Sequence, residues 1–566
     1  MPDFDAIIVG SGISGGWVAK ELCERGLKVC VLERGSDLDP VSDYSDNIDP
    51  WDMKHFDRVS PNDIKADYDV QSTSYAFKES NKHLWIKDSD QPYEVGDTTN
   101  FKWRRGSRVG GRSLLWGRAS FRLAPHDFEA NKLDGHGVDW PVRYDDIAPW
   151  YDHVEKFVGI AGRDDGLAQL PGGEHYLPPF DLTCAEQALK AEMAKNFPNR
   201  DLIIARVANL KRLTEEQQAL GRGQCQARNK CFHGCSYGAY FSSNSATLPA
   251  AKRTGNLTLV SNAIVTKLNY DSDGNRVSSV EVIDSQTKDA TTYSAKIVFL
   301  NASTISSAML LLNSDSERFP SGLANRSDQV GRNLMDHVGG VWVEARVPGH
   351  KDKYVYGRRP TNAYIPRFRN FPDQQEDYQR GFAYQVYSGR SGAGGWHSGI
   401  GKAFKDANRT PGDWRIVLDG FGEILPHPDN RVTLHKTKTD RWGQPIAFVD
   451  APMRENEIAL MKAAQKDAVD ILTQAGFEDI NPGKTPTDDG LSLGRRTHEM
   501  GTIRMGRDPK TSVLNGWNQA HDIPNLFVTD GSFMTSSAVQ NPSLSYMAFS
   551  ARAANHAADL LREGVL

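Results

Sequence analysis

Two stretches of this chain combine residue types and spacings that could do chemistry. The first is Gly10-Ser11-Gly12-Ile13-Ser14-Gly15, with Glu33 at the end of the next apolar run. Only glycine permits a tight turn at Gly10, the close approach of a pyrophosphate at Gly12 and a helix-to-strand contact at Gly15, while the N-terminus of the following helix faces the phosphates. Glu33 would accept hydrogen bonds from the adenosine ribose hydroxyls, so the stretch reads as a dinucleotide site. Whether the dinucleotide is NAD or FAD is open on this motif alone. The second stretch is Cys225-x5-Cys231-x3-Cys235, in a loop rich in Gly, Arg, Asn and Lys. Soft sulfur ligands at this density select zinc or an iron-sulfur cluster. Zinc wants a fourth ligand, and His233 sits awkwardly between two of the cysteines. A disulfide would leave one thiol over, and three ligands fit a cuboidal 3Fe-4S cluster.

The elements that must position these residues are an α/β set. Residues 5–9 and 28–32 are apolar, branched strands around a helix from Ser14 to Arg25, whose Val18, Ala19 and Leu22 recur at helical spacing and whose stop is Gly26. Residues 40–105 read as long excursions from a core. From 257 to 300 the chain alternates in the strand manner, with Asp271 to Asn275 as a hairpin tip, and the whole segment reads as an inserted antiparallel appendage. Residues 340–450 form a second, mainly β region, 455–475 an amphipathic helix, and the last 70 residues return to turn, strand and helix signals. No internal repeat is present, which removes solenoids and propellers.

The 566 residues are 39% hydrophobic and 25% charged, the balance of a soluble globular chain with room for two or three cores. A net charge of -5 offers no broad basic face, so nucleic acid is not an expected partner. The first residues lack a secretory signal, and no segment approaches the roughly 20 apolar residues of a membrane span, so direct membrane insertion is not expected.

Five separated segments resemble the glucose-methanol-choline oxidoreductase family over nearly the whole chain. They are the turn at 10–15, Arg108 to Ser113 with Trp116-Gly117, Asn301 to Thr304, Gly331 to His337, and the pair Thr497 to Gly506 and Gln540 to Leu544. The resemblance implies a Rossmann-like FAD-binding domain, discontinuous over 1–165, 240–340 and 495–566. A substrate domain on a mainly antiparallel β-sheet plus helices would cover 341–494, with excursions near 41–100, and the cysteine loop would span 221–240. It also implies FAD as the cofactor. Gly110, Gly111, Arg112 and Ser113 would pass over the flavin ring and pyrophosphate, Val265 would hold the adenine by its backbone, and Asp530 with Gly531 would bind the ribityl and pyrophosphate region. Ala302, Asn541 and Pro542 join this cofactor set. Some relatives tether the flavin through a histidine in the segment equivalent to 108–117; this chain has none there, so the FAD is expected to be dissociable.

Oxidising an alcohol to a carbonyl requires a base for the hydroxyl proton and an acceptor for the hydride. Among fifteen histidines, the resemblance marks His498 as the base and Asn541 as the group that orients the substrate oxygen, with hydride passing to flavin N5. His337 is expected to be structural, beside the cofactor. The cysteine spacing is similar to that of electron-transferring sugar dehydrogenases of the family, which makes a 3Fe-4S cluster on Cys225, Cys231 and Cys235 the expectation, with electrons passed on to a haem protein or dye. Ser107 to Arg122, Asp134 to Pro141 and Asn541 to His556 are closest to glucoside 3-dehydrogenases and pyranose-oxidising members, implying a secondary hydroxyl of a sugar or glycoside, at C3 of a glucoside. An oxidase using oxygen and a non-redox lyase are the alternatives. Tyr354, Tyr356, Arg358, Tyr364, Gln385 and Trp396 could stack on or hydrogen-bond a pyranose. Relatives with such a loop imply a small subunit carrying the export signal, a cytochrome c subunit and a periplasmic location, with the cytoplasm as the alternative.

Overall fold

The computed structural model describes residues 2–355, 360–390, 399–409, 411–484 and 493–566. Its first strand, β1 (Phe4–Val9), is buried over its last four residues, which are all apolar, as a strand covered on both faces must be. Helix α1 (Ile13–Glu24) follows and ends before Gly26, whose φ of 84° takes the chain into a left-handed turn. β2 (Val29–Leu32) then lies parallel to β1, with Val9 opposite Leu32. The predicted strand, helix, strand unit is present.

Among the described residues the strands form three sheets. The first has seven strands, in the order β3 (Leu257–Val260), β2, β1, β6 (Ala290–Leu300), β5 (Arg276–Asp284), β4 (Ala263–Asp271), with Leu526–Val528 also on β6. Here the expected appendage is corrected. Only β4, β5 and the first half of β6 are antiparallel, joined at the predicted tip. Leu257–Val260 is instead a parallel edge strand on β2, and the second half of β6 runs parallel to β1 from Ala295 to Leu300 in the middle of the sheet. Short branched runs read alike in both settings, because periodicity does not report strand direction. One face of this sheet packs Ala6, Ile8, Val31 and Phe299 against Val18 and Leu22 of α1 and the small residues Ala553, Ala554 and Ala557 of the last helix, Ser543–Arg562. A buried leucine such as Leu22 stabilises by about 1.5–3 kcal/mol.

The second sheet has six strands. Its order is β11 (Glu478–Asn481), β7 (Val338–Val347), β10 (Trp414–Gly422), β9 (Phe382–Arg390), β8 (Ala363–Ile365) and Ile203–Ile204. The amphipathic helix Glu455–Gln474 buries Leu460, Met461, Ala464 and Ala468, in the core that also holds Val341, Val343 and Ile416 of this sheet. In register across the strands stand Trp342, Asp419, Gln385 and Tyr364. A smaller sheet joins Arg431–Thr439, Pro445–Asp450 and Tyr93–Val95, so the 40–105 excursion is partly woven into the body.

Candidate active site

The glycine turn has the three predicted functions built into its geometry. Gly10 stands at φ 99° with the Asn301 carbonyl oxygen 2.4 Å from where a Cβ would be, and a Cβ on Gly15 would stand 1.9 Å from the Gly10 carbonyl oxygen. Gly12 differs: nothing lies within 4 Å of its missing Cβ, so its face is open to a ligand. The 108–113 segment is tied to this turn, since the Gly110 N–H donates to Ser11 Oγ at 2.8 Å and Ser113 Oγ donates to the Gly110 carbonyl at 2.6 Å. Glu33 is buried. Its carboxylate accepts from the Ser11 hydroxyl (2.5 Å), the Ser11 N–H and the Gly35 N–H, which leaves lone pairs for a ribose.

From this turn a cavity of about 1250 Å³ runs through the molecule. Gly10, Gly12, Glu33, Val265 and Ala302 line it at one end, Gly111, Arg112, Ser113, Asp530 and Gly531 along it, and His498 and Asn541 at the other. Gly15, Gly110 and Pro542 are not on its wall and act from behind it. Asn301 also lines the cavity, with its Oδ1 buried and without a partner among the described residues while Nδ2 donates to Thr529. Ser303 adds a φ of 80° at the head of helix Thr304–Leu312. The open face of Gly12, the orphaned Asn301 oxygen and the helix head fit a long dinucleotide such as FAD.

At the other end the side chains form a directed chain of hydrogen bonds. His337 Nε2 is 2.9 Å from the Ala538 carbonyl, which only accepts, so this nitrogen carries the proton. Burial pushes the His337 imidazole down to about 4, so at neutral pH its Nδ1 is bare and accepts from His498 Nδ1, 2.8 Å away. His498 itself is held well below its ordinary value, first by burial and then by His337, Arg112 and Arg496. It is neutral, and its Nε2 lone pair points to Asn541 Nδ2 at 3.4 Å. The amide of Asn541 is oriented in turn: Gln385 Nε2 donates to Asn541 Oδ1 (3.0 Å), and Tyr387 donates to Gln385 Oε1 (2.6 Å). This end is a neutral base whose unprotonated nitrogen meets a long contact from a fixed amide N–H.

Asp336, fully buried, mounts the pair. It accepts the backbone N–H groups of His337 (2.8 Å), His498 (2.9 Å), Arg496 (3.1 Å) and Gly494 (2.8 Å). Arg496 is clamped by both oxygens of Asp419, at 2.8 and 2.5 Å, and Arg112 pairs with Glu499 at 2.6 Å.

Of the sugar-facing candidates, Gln385 lines the cavity. Tyr364 does not: its ring is buried against Phe121, centroids 4.4 Å apart, where the 119–121 segment covers the end of its row. Tyr354 is 59% exposed and off the cavity wall. Tyr356, Arg358 and Trp396 lie outside the described residues. His337 proves to be the direct partner of His498 rather than a bystander, and Tyr387, Asp336 and Asn301 were not singled out by the sequence. Tyr387 sits two residues from Gln385, on the same strand face, which was the available signal.

The six cysteines are free thiols, so the disulfide alternative is not formed. Cys225, Cys231 and Cys235 line one small cavity of about 30 Å³, and Cys231 also lines the large one. They do not form a ready ligand set. Among the described residues no group of three His, Cys, Asp or Glu stands in a metal-holding arrangement. Asn209 Nδ2 donates to Cys225 Sγ at 4.0 Å, and burial holds the Cys225 and Cys235 thiols above their ordinary range. His233 turns away from the small cavity to Asp57, 2.8 Å from its Nε2, which removes it as a fourth zinc ligand.

The family model for GMC oxidoreductases matches residues 4–339 in its N-terminal part and 426–550 in its C-terminal part. The chain is similar to the fructose dehydrogenase large subunit of Gluconobacter japonicus, 28% identical over 99% of this chain and 98% of that one. It is also similar to the gluconate 2-dehydrogenase flavoprotein of Pantoea cypripedii, 23% identical over 95% and 91%. A solved formate oxidase of Aspergillus oryzae shares the fold with a TM-score of 0.63 at 16% identity, over 100% of this chain and 99% of that one. With the glycine turn, the through-running cavity and the matched segments together, the chain belongs to the GMC oxidoreductases, the FAD-binding family that acts on CH–OH groups.

Proposed function

We propose that the protein oxidises a secondary hydroxyl of a sugar or glycoside to a ketone, at C3 of a glucoside, as a dehydrogenase rather than an oxidase. The observation that carries this reading is the chain Ala538, His337, His498, Asn541, Gln385, which leaves one bare imidazole nitrogen and one amide N–H at the far end of the dinucleotide cavity. His498 Nε2 accepts the hydroxyl proton. Asn541 Nδ2 donates to the same oxygen and fixes its direction, and Gln385 keeps that amide from flipping. Gly10, Gly12, Glu33, Ala302, Val265 and Asp530 would hold FAD without a covalent bond. When bound, FAD supplies the acceptor for the hydride that leaves the carbinol carbon. The sugar class is supported by relatives named for fructose and gluconate, and the C3 position by the resemblance of segments 107–122, 134–141 and 541–556.

Cys225, Cys231 and Cys235 would hold a 3Fe-4S cluster, which would supply one-electron transfer to a cytochrome c or another acceptor. The three cysteines, which stand around one small cavity that shares Cys231 with the large one, would have to draw together to bind the cluster. A partner subunit is supported by a relative named as a large subunit, and export to the periplasm would depend on such a partner. The deciding experiment is anaerobic mixing of the purified protein with a panel of glucosides and free sugars while following flavin absorbance, with iron and sulfide analysis of the same sample. Bleaching by a glucoside, dye reduction without peroxide and three irons per chain are expected. Stoichiometric peroxide without iron would establish the oxidase, and no bleaching by any sugar would remove the reading.

A further inference from the structure

Several arginines line the cavity, and among Arg104, Arg112, Arg118 and Arg496 all but one have a partner. Arg112 and Arg496 are paired with Glu499 and Asp419, and Arg104 donates to the carbonyls of Arg495 (2.7 Å) and Thr73 (2.9 Å). Arg118 is the exception. It is 4% exposed, it lines the cavity, and its Nε and Nη1 are enclosed with no acceptor among the described residues. Its guanidinium lies 5.2 Å from the Phe232 ring and 5.1 Å from the Tyr240 ring, which compensate part of the charge and hold its plane. Its backbone is also in the left-handed region, at φ 66°.

A buried cation without an acceptor is unfavourable until something supplies one, and no described residue does. The location tells which ligand it is for. The 118–120 segment is hydrogen-bonded to 206–208, Ala205 beside it donates to the Asn362 carbonyl, and Asn362 Nδ2 donates to Gln385 Oε1 (3.3 Å), the residue that holds Asn541, so Arg118 belongs to the side of the cavity where Asn541 and His498 stand and not to the adenosine end. A sugar hydroxyl would meet one N–H with a neutral oxygen. A carboxylate would neutralise the charge and accept a charge-assisted bond of roughly twice the strength.

We infer that Arg118 is a substrate-binding residue for an anionic group, and that the preferred substrates are sugar acids or uronides carrying a carboxylate. This rests on the sugar-oxidising reading above. Methyl glucuronide and methyl glucoside test it, since they share their ring hydroxyls and differ at C6, carboxylate against hydroxymethyl. Flavin reduction is expected to favour the glucuronide by about tenfold or more in kcat/KM, and added salt to erode the preference. Arg118→Met, which keeps the apolar packing between the two rings, is expected to abolish the preference, and Arg118→Lys to keep part of it. Binding is read apart from turnover in the His498→Ala protein, from the change in flavin fluorescence with each glycoside, with and without Arg118→Met.

Equal affinities for the two glycosides, or a glucuronide preference that survives Arg118→Met, would overturn the inference while leaving the sugar reading in place. Loss of bound FAD from both Arg118 variants would assign the guanidinium to the cofactor and overturn it too. Bleaching by neither compound, nor by any sugar of the panel, would remove both.

Discussion

The two ends of the long cavity are made of different material. At the adenosine end the surface is largely main chain: a turn in which Gly10 is required by the carbonyl oxygen of Asn301 and Gly15 by that of Gly10, while Gly12 leaves its face open. At the reacting end it is made of side chains brought from far apart, His337 and His498 being separated by 161 residues and Gln385 and Asn541 by 156. Main-chain surfaces tolerate no added atom, whereas side-chain chains lose function by degrees. That contrast can be broken or sharpened by substitution.

The largest effect is expected at Gly15. Gly15→Ala forces a Cβ against backbone that cannot yield, and should destabilise by at least about 3 kcal/mol and abolish FAD retention, read as Tm and as the ratio of flavin to protein absorbance. His498→Ala comes next, with a fall in kcat of about 10²–10⁴-fold while FAD stays bound; wild-type rates would exclude His498 as the base. His337→Leu should lower kcat on the order of 10- to 100-fold, as for other orienting partners of a working imidazole.

The pH profile separates that role from a merely structural one. The working form of His498 is neutral and its value is depressed, so activity should hold from neutral pH downward and fall only well below 6.5. Without His337 the acid limb should move up toward 6.5. An unmoved limb would make His337 a packing residue. Gln385→Leu frees the Asn541 amide and should lower kcat/KM by about fivefold, the worth of one hydrogen bond of roughly 1 kcal/mol. The smallest effect on the protein itself is expected at Gly12, where Ala meets nothing: stability of the FAD-free chain should change by less than about 0.5 kcal/mol, yet FAD should bind less tightly.

The same contrast explains what could be read from the sequence. The β1, α1, β2 unit was legible because its apolar spacing and its glycines are local, and His498 and Asn541 were legible through motifs that resemble a family. The tautomer relay was not, because it depends on which carbonyl His337 Nε2 meets, and Ala538 lies 201 residues away. Tyr364 and Gln385 are cross-strand neighbours on one sheet face and looked equally able to meet a sugar. Only Phe121, arriving from elsewhere in the chain, decides that one is core and the other cavity wall. Leu257–Val260 was misread for a related reason, since a strand's direction is set by its neighbour and not by its own residues.

The mounting of the two imidazoles on Asp336 has a consequence for how the molecule can vary. Both rings are referenced to Asp336, two residues before β7, which lies between the edge strand β11 and β10 in the second sheet, and not to the glycine turn. The proton acceptor and the substrate platform therefore travel as one cassette, in which β10 holds Arg496 through Asp419 and β9 holds Asn541 through Gln385.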